Sequence, residues 1–364
     1  MKKRIALYSA YIPKHAGGGE KYLLSIGEVC SQCAQTELLV SQTETQYAKN
    51  ALRSYEQRFG LQLEDVLVKS SSIGATKSPI TTFLSTAQFS HLFAMTDGSI
   101  FPTAAKHSHL IVQVPWTRRL SMPEQLKLKN WESIIVYSHF VKSVLERSWK
   151  INKIQVIAPY VDAKEFAPQP KEKIILNVGR FFKHATSNSK RQDVIINAFK
   201  KLYDKGHIDG FSLVLIGNVD PNPDSQEYLE ELKKLAYGYP INIITDASYE
   251  EMKSYYARSL FYWHAAGFEV DEVKNPEHTE HFGITTLEAM ASGCIPLVVP
   301  KGGQKEVVAD ERFFWETQED LLSKTSRFVE VSKSQQEKLA QEVRSMTTRY
   351  SKEQFIANIQ RLVE

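Results

Sequence analysis

Residues Glu280–Glu288, EHFGITTLE, run on into Ala289–Pro300, AMASGCIPLVVP, and this stretch decides the fold. Thr285–Gly293 (TTLEAMASG) reads as a short helix closed by glycine, and Ile295–Pro300 (IPLVVP) as the buried strand after it. Loop, short helix and apolar strand in that order belong to an α/β domain with a parallel sheet. Glu288 is expected on the first turn of the helix and Glu280 in the loop before it. A helix N-terminus presents free N–H groups and about half a positive charge, so it attracts phosphate. One carboxylate can then bind ribose hydroxyls beside that phosphate while the other faces the group attached to it. A dipole-matched Glu and a solvated loop Glu would also fit these two positions alone. The surrounding residues favour a site.

Working outward, short apolar runs alternate with amphipathic helical patterns throughout. In the second half, strands are expected at 173–179, 211–217, 242–245 and 260–264, and helices at 190–205 and 226–237. Ser248 and Glu251 form a capping box for a further helix, and Ser332–Glu364 reads as helical. In the first half, strands are expected at 4–10, 37–41, 90–94, 110–114, 133–137 and 155–157, with helices at 20–34, 47–59 and 141–149. The Ser- and Thr-rich stretch Ser70–Thr82 reads as a loop or an acceptor-side insertion. Prolines between Pro159 and Pro170 mark a boundary. The expected organisation is one α/β domain over 1–163, a second over 164–345, and a last helix over 346–364 crossing back to the first domain. Two Rossmann-like α/β domains would face each other across a cleft, with ligands at the C-terminal ends of the strands.

At 42% apolar and 24% charged residues, the 364-residue chain is an ordinary globular protein with no run long enough to span a membrane. The opening MKKRIALYSAYIP is basic then apolar, lacks a signal-peptide cleavage site and reads as a first strand, so a cytoplasmic location is expected. The net charge of +3 hides an asymmetry: residues 1–163 carry 19 Lys and Arg against 12 Asp and Glu, and the remainder 26 against 30. A basic first half can meet anionic lipid or a pyrophosphate-bearing acceptor, through Arg118, Arg119, Lys127 and Lys129, or can simply be a solvated face. That reading places the protein peripherally on the inner face of a membrane. Nucleic acid is not an expected partner, because aromatics are not interleaved with the basic residues. Cys30 and Cys33 form a lone C-x-x-C without a second pair for zinc and read as buried helix thiols; Cys294 reads as core.

Gly17-Gly18-Gly19-Glu20 follows the first strand and opens a helix, so backbone N–H groups there can approach anionic oxygens. The spacing is neither G-x-G-x-x-G nor that of a P-loop. In the second half, the strand ending at Val178 runs into Gly179-Arg180, with Lys190-Arg191 after a polar loop. Arg offers a fork for phosphate oxygens and Lys a point charge. His184 lies in the same loop and is given no role. Glu269, Asp271 and Glu272 lack the setting of a metal site and read as solvated. No metal is expected, and Arg180, Lys190 and the helix end balance the phosphate charge.

With these residues assembled, the sequence resembles family-4 glycosyltransferases of the GT-B fold. The match lies in Gly17–Glu20 (GGGE), Val178–Arg180 (VGR) with Lys190, Glu280–Glu288 with the following AMASGCIP, and Lys301-Gly302-Gly303 with Glu306-Val307-Val308. Trp263–Phe268 (WHAAGF) resembles a branch that includes mannosyltransferases. The resemblance implies that Arg180 and Lys190 hold the donor diphosphate, Glu288 the ribose and Glu280 the transferred sugar. It implies that the backbone of Phe282, Gly283, Ile284, Thr285 and Thr286 cradles sugar and phosphate, and that Gly18 and Gly19 close over the diphosphate. Ala247 and Ser248 fall where the family recognises the base. The sequence departs from the family at Gln113, which stands where many relatives carry a strand-end His; His107 and His109 precede that strand and read as structural or acceptor-side. The interval from Arg180 to Lys190 is also longer than usual.

The implied activity is retaining, metal-independent transfer of a hexose, mannose or glucose type, from a nucleotide diphosphate sugar to a glycan or lipid-linked acceptor hydroxyl, as in polysaccharide biosynthesis. No cofactor is required; GDP-mannose is the first-choice donor and a UDP-sugar the second. A nucleotide-sugar epimerase or hydrolase of the same fold, or a non-catalytic nucleotide-sugar or glycan-binding module, would use the same phosphate grip.

Overall fold

The computed structural model describes residues 3–13, 17–73, 78–183 and 188–364. The chain divides into two compact units, Met1–Pro159 with Glu353–Glu364, and Tyr160–Lys352. In the first unit the elements run β1 (Arg4–Ser9), α1 (Gly18–Ser31), β2 (Gln35–Val40), α2 (Thr45–Phe59), β3 (Val66–Ser70), α3 (Pro79–Thr86), β4 (His91–Met95), β5 (His107–Ile111), α4 (Met122–Leu128), β6 (Ser133–Val136), α5 (His139–Trp149) and β7 (Ile154–Val156). The seven strands are parallel, in the order β3-β2-β1-β4-β5-β6-β7. Central strands of a parallel sheet are covered on both faces and so carry continuous apolar runs. Ile5, Ala6 and Leu7 of β1 are fully buried accordingly.

The second unit contains β8 (Glu172–Val178), α6 (Gln192–Asp204), β9 (Ser212–Ile216), α7 (Pro223–Ala236), β10 (Ile241–Ile244), α8 (Tyr249–Arg258), β11 (Ser259–His264), α9 (Ile284–Ala291), β12 (Ile295–Val298), α10 (Gln304–Val308), α11 (Gln318–Glu330) and α12 (Lys333–Met346). Its five parallel strands lie in the order β10-β9-β8-β11-β12. The chain winds from β8 outward through β9 to β10, then returns to the other side of β8 with β11. The order therefore reverses between β8 and β11, and at such a point the loops leaving the two strands part and open a crevice. α13 (Lys352–Val363) ends the chain, with Phe355 edge-on to Tyr22 of the first unit at 5.5 Å.

Several elements differ from expectation. Ser70–Thr82 is not one loop: β3 reaches Ser70, and α3 begins at Pro79 with Ser78 accepting a hydrogen bond from Thr81 N–H. Ser and Pro there are an N-cap and a first helical residue, not loop composition. Residues 74–77 of this stretch lie outside the described residues. β5 starts at His107, three residues before the expected strand, because its histidines pack across β4: His91 stacks on His107 at 4.8 Å and Phe93 on His109 at 4.6 Å. Cys30 is buried on α1, but Cys33 lies past the helix end and is exposed. The C-terminal helical stretch is broken by a 3-10 turn at Thr347–Tyr350.

Backbone packing fixes the exit of β8. A Cβ on Gly217, just past β9, would stand 2.0 Å from the Gly179 carbonyl oxygen. Gly217→Ala is therefore expected to force Gly179 and Arg180 away and to lower unfolding free energy by about 1–3 kcal/mol. Urea unfolding measures this, and an unchanged midpoint would refute the packing argument.

Candidate active site

The strands of the second unit deliver the expected residues to one edge of the sheet. β8 leads to Gly179-Arg180, β10 to Ala247-Ser248, β11 ends at His264, and β12 leads to Gly302-Gly303. Gly283, with φ at 106°, turns the chain into α9, so the helix starts at Ile284 and Glu288 lies in its second turn. The expected first-turn placement is thus corrected by one position, and Glu288 is buried on α9.

Glycines behind the turn bring the backbone close. Gly302 has φ of 64°, and a Cβ there would meet the Glu280 carbonyl oxygen at 2.1 Å. Gly303 N–H donates to that same carbonyl at 2.7 Å. The fully buried Gln304 packs against Gly283 and donates to Thr286 Oγ1 at 2.9 Å. Glu272 accepts from Gly302 N–H at 2.9 Å and pairs with Lys305 at 2.6 Å, while Glu269 lies 3.7 Å from Arg191. Glu272, read as solvated from the sequence, braces this turn. Among the described residues no group of three or more His, Cys, Asp or Glu is placed to hold a metal ion.

Lys190, Glu280 and His264 meet at the switch point. Lys190 Nζ lies 2.5 Å from Glu280 Oε2, and His264 Nε2 lies 3.0 Å from the same oxygen. Glu280 is 8% exposed and His264 is fully buried. Lys190 precedes α6, which starts at Gln192 and not at Lys190 as expected; its stem lies against Gly179. Gln192 donates to the carbonyls of Gly179 and Arg180 at 3.2 Å, tying the start of α6 to the end of β8. Burial alone would raise the Glu280 pKa, but Lys190 and His264 outweigh it and hold the carboxyl below its ordinary range. Burial pushes His264 below its ordinary value, with the Lys190 ammonium acting the same way. At neutral pH Glu280 is therefore a carboxylate and His264 a neutral imidazole.

The other candidates are distributed around it. Tyr256, fully buried on α8, donates to Glu288 Oε2 at 3.2 Å, and Glu288 is itself buried. Tyr262 on β11 donates to Thr285 Oγ1 at 2.8 Å. Phe282 packs edge-on to Tyr350 at 5.4 Å. Ser248 is the N-cap of α8 and accepts from Glu251 N–H at 3.1 Å, with Ala247 just before it. Arg180 is exposed, with its guanidinium 3.5 Å from Asp220 and 5.2 Å from the centre of the Phe182 ring. No contact with Lys190 or Glu280 holds it in this state. His184 lies outside the described residues.

In the first unit, Gly18 and Gly19 open α1, but Glu20 folds back so that its carboxylate accepts from Gly17 N–H at 2.8 Å. One N–H of the expected anion-binding turn is thereby already satisfied. A Cβ on Gly19 would meet the Gln113 amide at 2.6 Å, so these two expected residues are neighbours. Arg118 is engaged by Glu124 at 2.8 Å and by the Gly98 carbonyl at 2.8 Å, whereas Arg119 is exposed. No described helix is long and apolar enough to cross a membrane.

Two units of parallel α/β structure define the GT-B fold, and solved structures share it along their whole length. A glycosyltransferase from Rickettsia africae ESF-5 superposes with a TM-score of 0.72 at 16% identity, covering 100% of this chain and 97% of that one. Anabaena Alr3699/HepE in complex with UDP-glucose gives 0.70 at 16% identity, covering 99% of each. Residues 161–358 match the family Glycosyl transferases group 1, and the chain belongs to that family. The GDP-Man:Man(3)GlcNAc(2)-PP-Dol alpha-1,2-mannosyltransferase of Kluyveromyces lactis is 28% identical over 256 residues, 62% of this chain and 40% of the relative. Its human counterpart is 23% identical over 243 residues, 61% of this chain and 46% of that protein. The alpha-1,3/1,6-mannosyltransferase ALG2 of Saccharomyces cerevisiae is 28% identical over 211 residues, 51% and 42% respectively. The alignments thus span less than half the length of these relatives.

The cluster makes stability depend on pH. A buried His held below 6.5 contributes stability that is full above that value and falls as the unfolded chain takes the proton first. A carboxylate held below 4.5 adds a second loss once pH falls under that value. The unfolding midpoint is expected to drop in two stages between pH 7 and 3, with the lower stage reduced in Glu280→Gln. Thermal melts across that range check it, and an identical profile in the variant would contradict the ion-pair account.

Proposed function

We propose that the chain is a retaining, metal-independent hexosyltransferase that moves a mannose- or glucose-type sugar from a nucleotide diphosphate donor to a glycan or lipid-linked acceptor hydroxyl. The observation that carries this reading is the buried Glu280, held through one oxygen by Lys190 and His264 at the switch point. Among the described residues its other oxygen, Oε1, has no partner, which suits it to a sugar hydroxyl. GDP-mannose is the first-choice donor because the mannosyltransferase relatives include enzymes named for GDP-Man, and UDP-sugars come second because a structural neighbour binds UDP-glucose.

As the anomeric bond stretches, negative charge grows on the diphosphate and positive charge on the sugar. Fixed donors aimed at developing charge lower such a barrier without reorganising during the reaction. Lys190 supplies an ammonium, Arg180 is free to swing from its exposed pairing, and the N–H groups at the start of α9 complete the set. Glu288, positioned by Tyr256, takes the ribose, while Ala247 and Ser248 meet the base. The leaving phosphate oxygen accepts the acceptor's proton as the acceptor attacks from the same face, so no separate nucleophile is needed.

A panel of nucleotide sugars, with and without acceptors, tests this. Acceptor-dependent release of nucleoside diphosphate supports transfer, release without acceptor supports hydrolysis, and binding alone supports a module. Glu280→Gln is expected to cut kcat by about a hundredfold or more, the scale of a lost transition-state contact, with nucleoside diphosphate affinity retained. Lys190→Ala should weaken that affinity about tenfold.

We also infer peripheral contact with an anionic membrane through the first unit. Ile80 and Leu84 on α3 are 72% and 64% exposed, and Met122 and Leu126 on α4 are 70% and 58% exposed. Both helices join strands running the same way across the sheet, so right-handed crossovers place them on one face. Arg119 and Lys129 are exposed close by in sequence, which pairs apolar insertion with attraction to acidic headgroups. Leu84→Ser with Leu126→Ser is expected to reduce cosedimentation with phosphatidylglycerol vesicles about tenfold or more. Unchanged binding would remove these helices from the contact.

A further inference from the structure

We infer that His264 is a positioning residue for Glu280, donating its Nε2–H to Oε2 so that Oε1 alone faces the transferred sugar. This rests on the proposed transfer reaction. His264 ends β11, is fully buried, and stacks within 6.3 Å of the Tyr262 ring. Those contacts fix the plane of the imidazole, and the 3.0 Å approach aims Nε2 at the carboxylate. Lys190 meets the same oxygen, but it stands on the loop before α6 and is also the group expected to move to phosphate. When the diphosphate draws the ammonium away, His264 remains the partner that keeps Glu280 oriented.

The state of the ring follows from the atoms around it. Glu280 is acceptor-only when ionised, so a neutral imidazole must carry its proton on Nε2 to bond it. Nδ1 is then an acceptor, and it is buried with no hydrogen-bond partner. The opposite tautomer would leave a buried N–H donor unpaired, which costs more than an unmet acceptor, and would set two lone pairs facing each other. The charged groups around the ring are Lys190 and Glu280, with His281 adjacent to Glu280 in the chain. None of them can accept at Nδ1 in the described geometry. The sequence conceals this role, since His264 closes the apolar run SLFYWH and looks like the end of a buried strand.

The test compares His264→Leu with His264→Gln, whose amide can present an N–H near the same place. His264→Leu is expected to lower kcat about ten- to hundredfold, the scale of one hydrogen bond to a charged group, with donor KM changed little. His264→Gln is expected to recover most of that loss. Equal loss in both, or wild-type kcat in His264→Leu, would overturn the proposal. Nitrogen-15 resonances of histidine-labelled protein provide a readout independent of turnover. The signal lost in His264→Gln should be a neutral, Nε2-protonated ring at pH 7 and should shift in Glu280→Gln. A protonated ring or the Nδ1–H tautomer would overturn the proposal even if His264→Leu fails to fold. A wild-type protein with no transfer from any donor would instead count against the function, and the resonances would still decide the hydrogen bond.

Discussion

A carboxylate in a protein interior loses its hydration and is tolerated only when charge and hydrogen bonds replace it. Glu280 is in that position, and most of the second unit's C-terminal edge can be understood as its support. Lys190 arrives from the loop after β8 and His264 from the end of β11, the two parallel strands between which the strand order reverses. The backbone of Glu280 is held separately, by Gly303 N–H on its carbonyl and by the closely packed Gly302. Removing one partner leaves a buried charge incompletely compensated, which is more costly than the pair is favourable.

The same logic extends outward by one shell. Gln304 fills the space beside Gly283 and fixes Thr286, while Glu272 ties Gly302 to Lys305. Lys171 is half-buried and donates to the Ala257 and Ser292 carbonyls at 2.8 and 2.6 Å. These carbonyls lie at the C-terminal ends of α8 and α9, where a cation is favoured. α8, which carries Tyr256, and α9, which carries Glu288, are thus anchored at one point besides the Tyr256 bond.

Much of this was legible in the chain. Alternating apolar runs and helical patterns identify parallel α/β structure, because buried parallel strands need no polar face. The spacing from Glu280 to Glu288 and the small residues after it place a turn, a helix and a strand correctly. What escaped the sequence is partnership across space. His264 and Glu280 are separated by an irregular loop, so no periodicity links them. Tyr256 and Tyr262 read as core aromatics, and only the fold gives their hydroxyls Glu288 and Thr285 as acceptors. Glu288 falls just into the second turn because the glycine N-cap starts the helix one residue earlier, at Ile284. The Ser- and Thr-rich composition of residues 70–82 resembled a loop, although Pro79 opens a helix there, at a position where the missing N–H has no intrahelical partner to lose.

Helix α8 links two places that are otherwise distant. Its N-cap is Ser248, and Tyr256, about 12 Å further along the axis, holds Glu288. Under the proposed donor arrangement, base-side contacts and ribose-side contacts hang from one rigid rod. A change at residues 247–248 that tilts the rod to admit a different base would drag Tyr256 with it and misplace the ribose. Exchange of one nucleotide for another in this chain is thus a problem of helix seating, to be solved by coordinated changes along α8 and its anchor at Lys171.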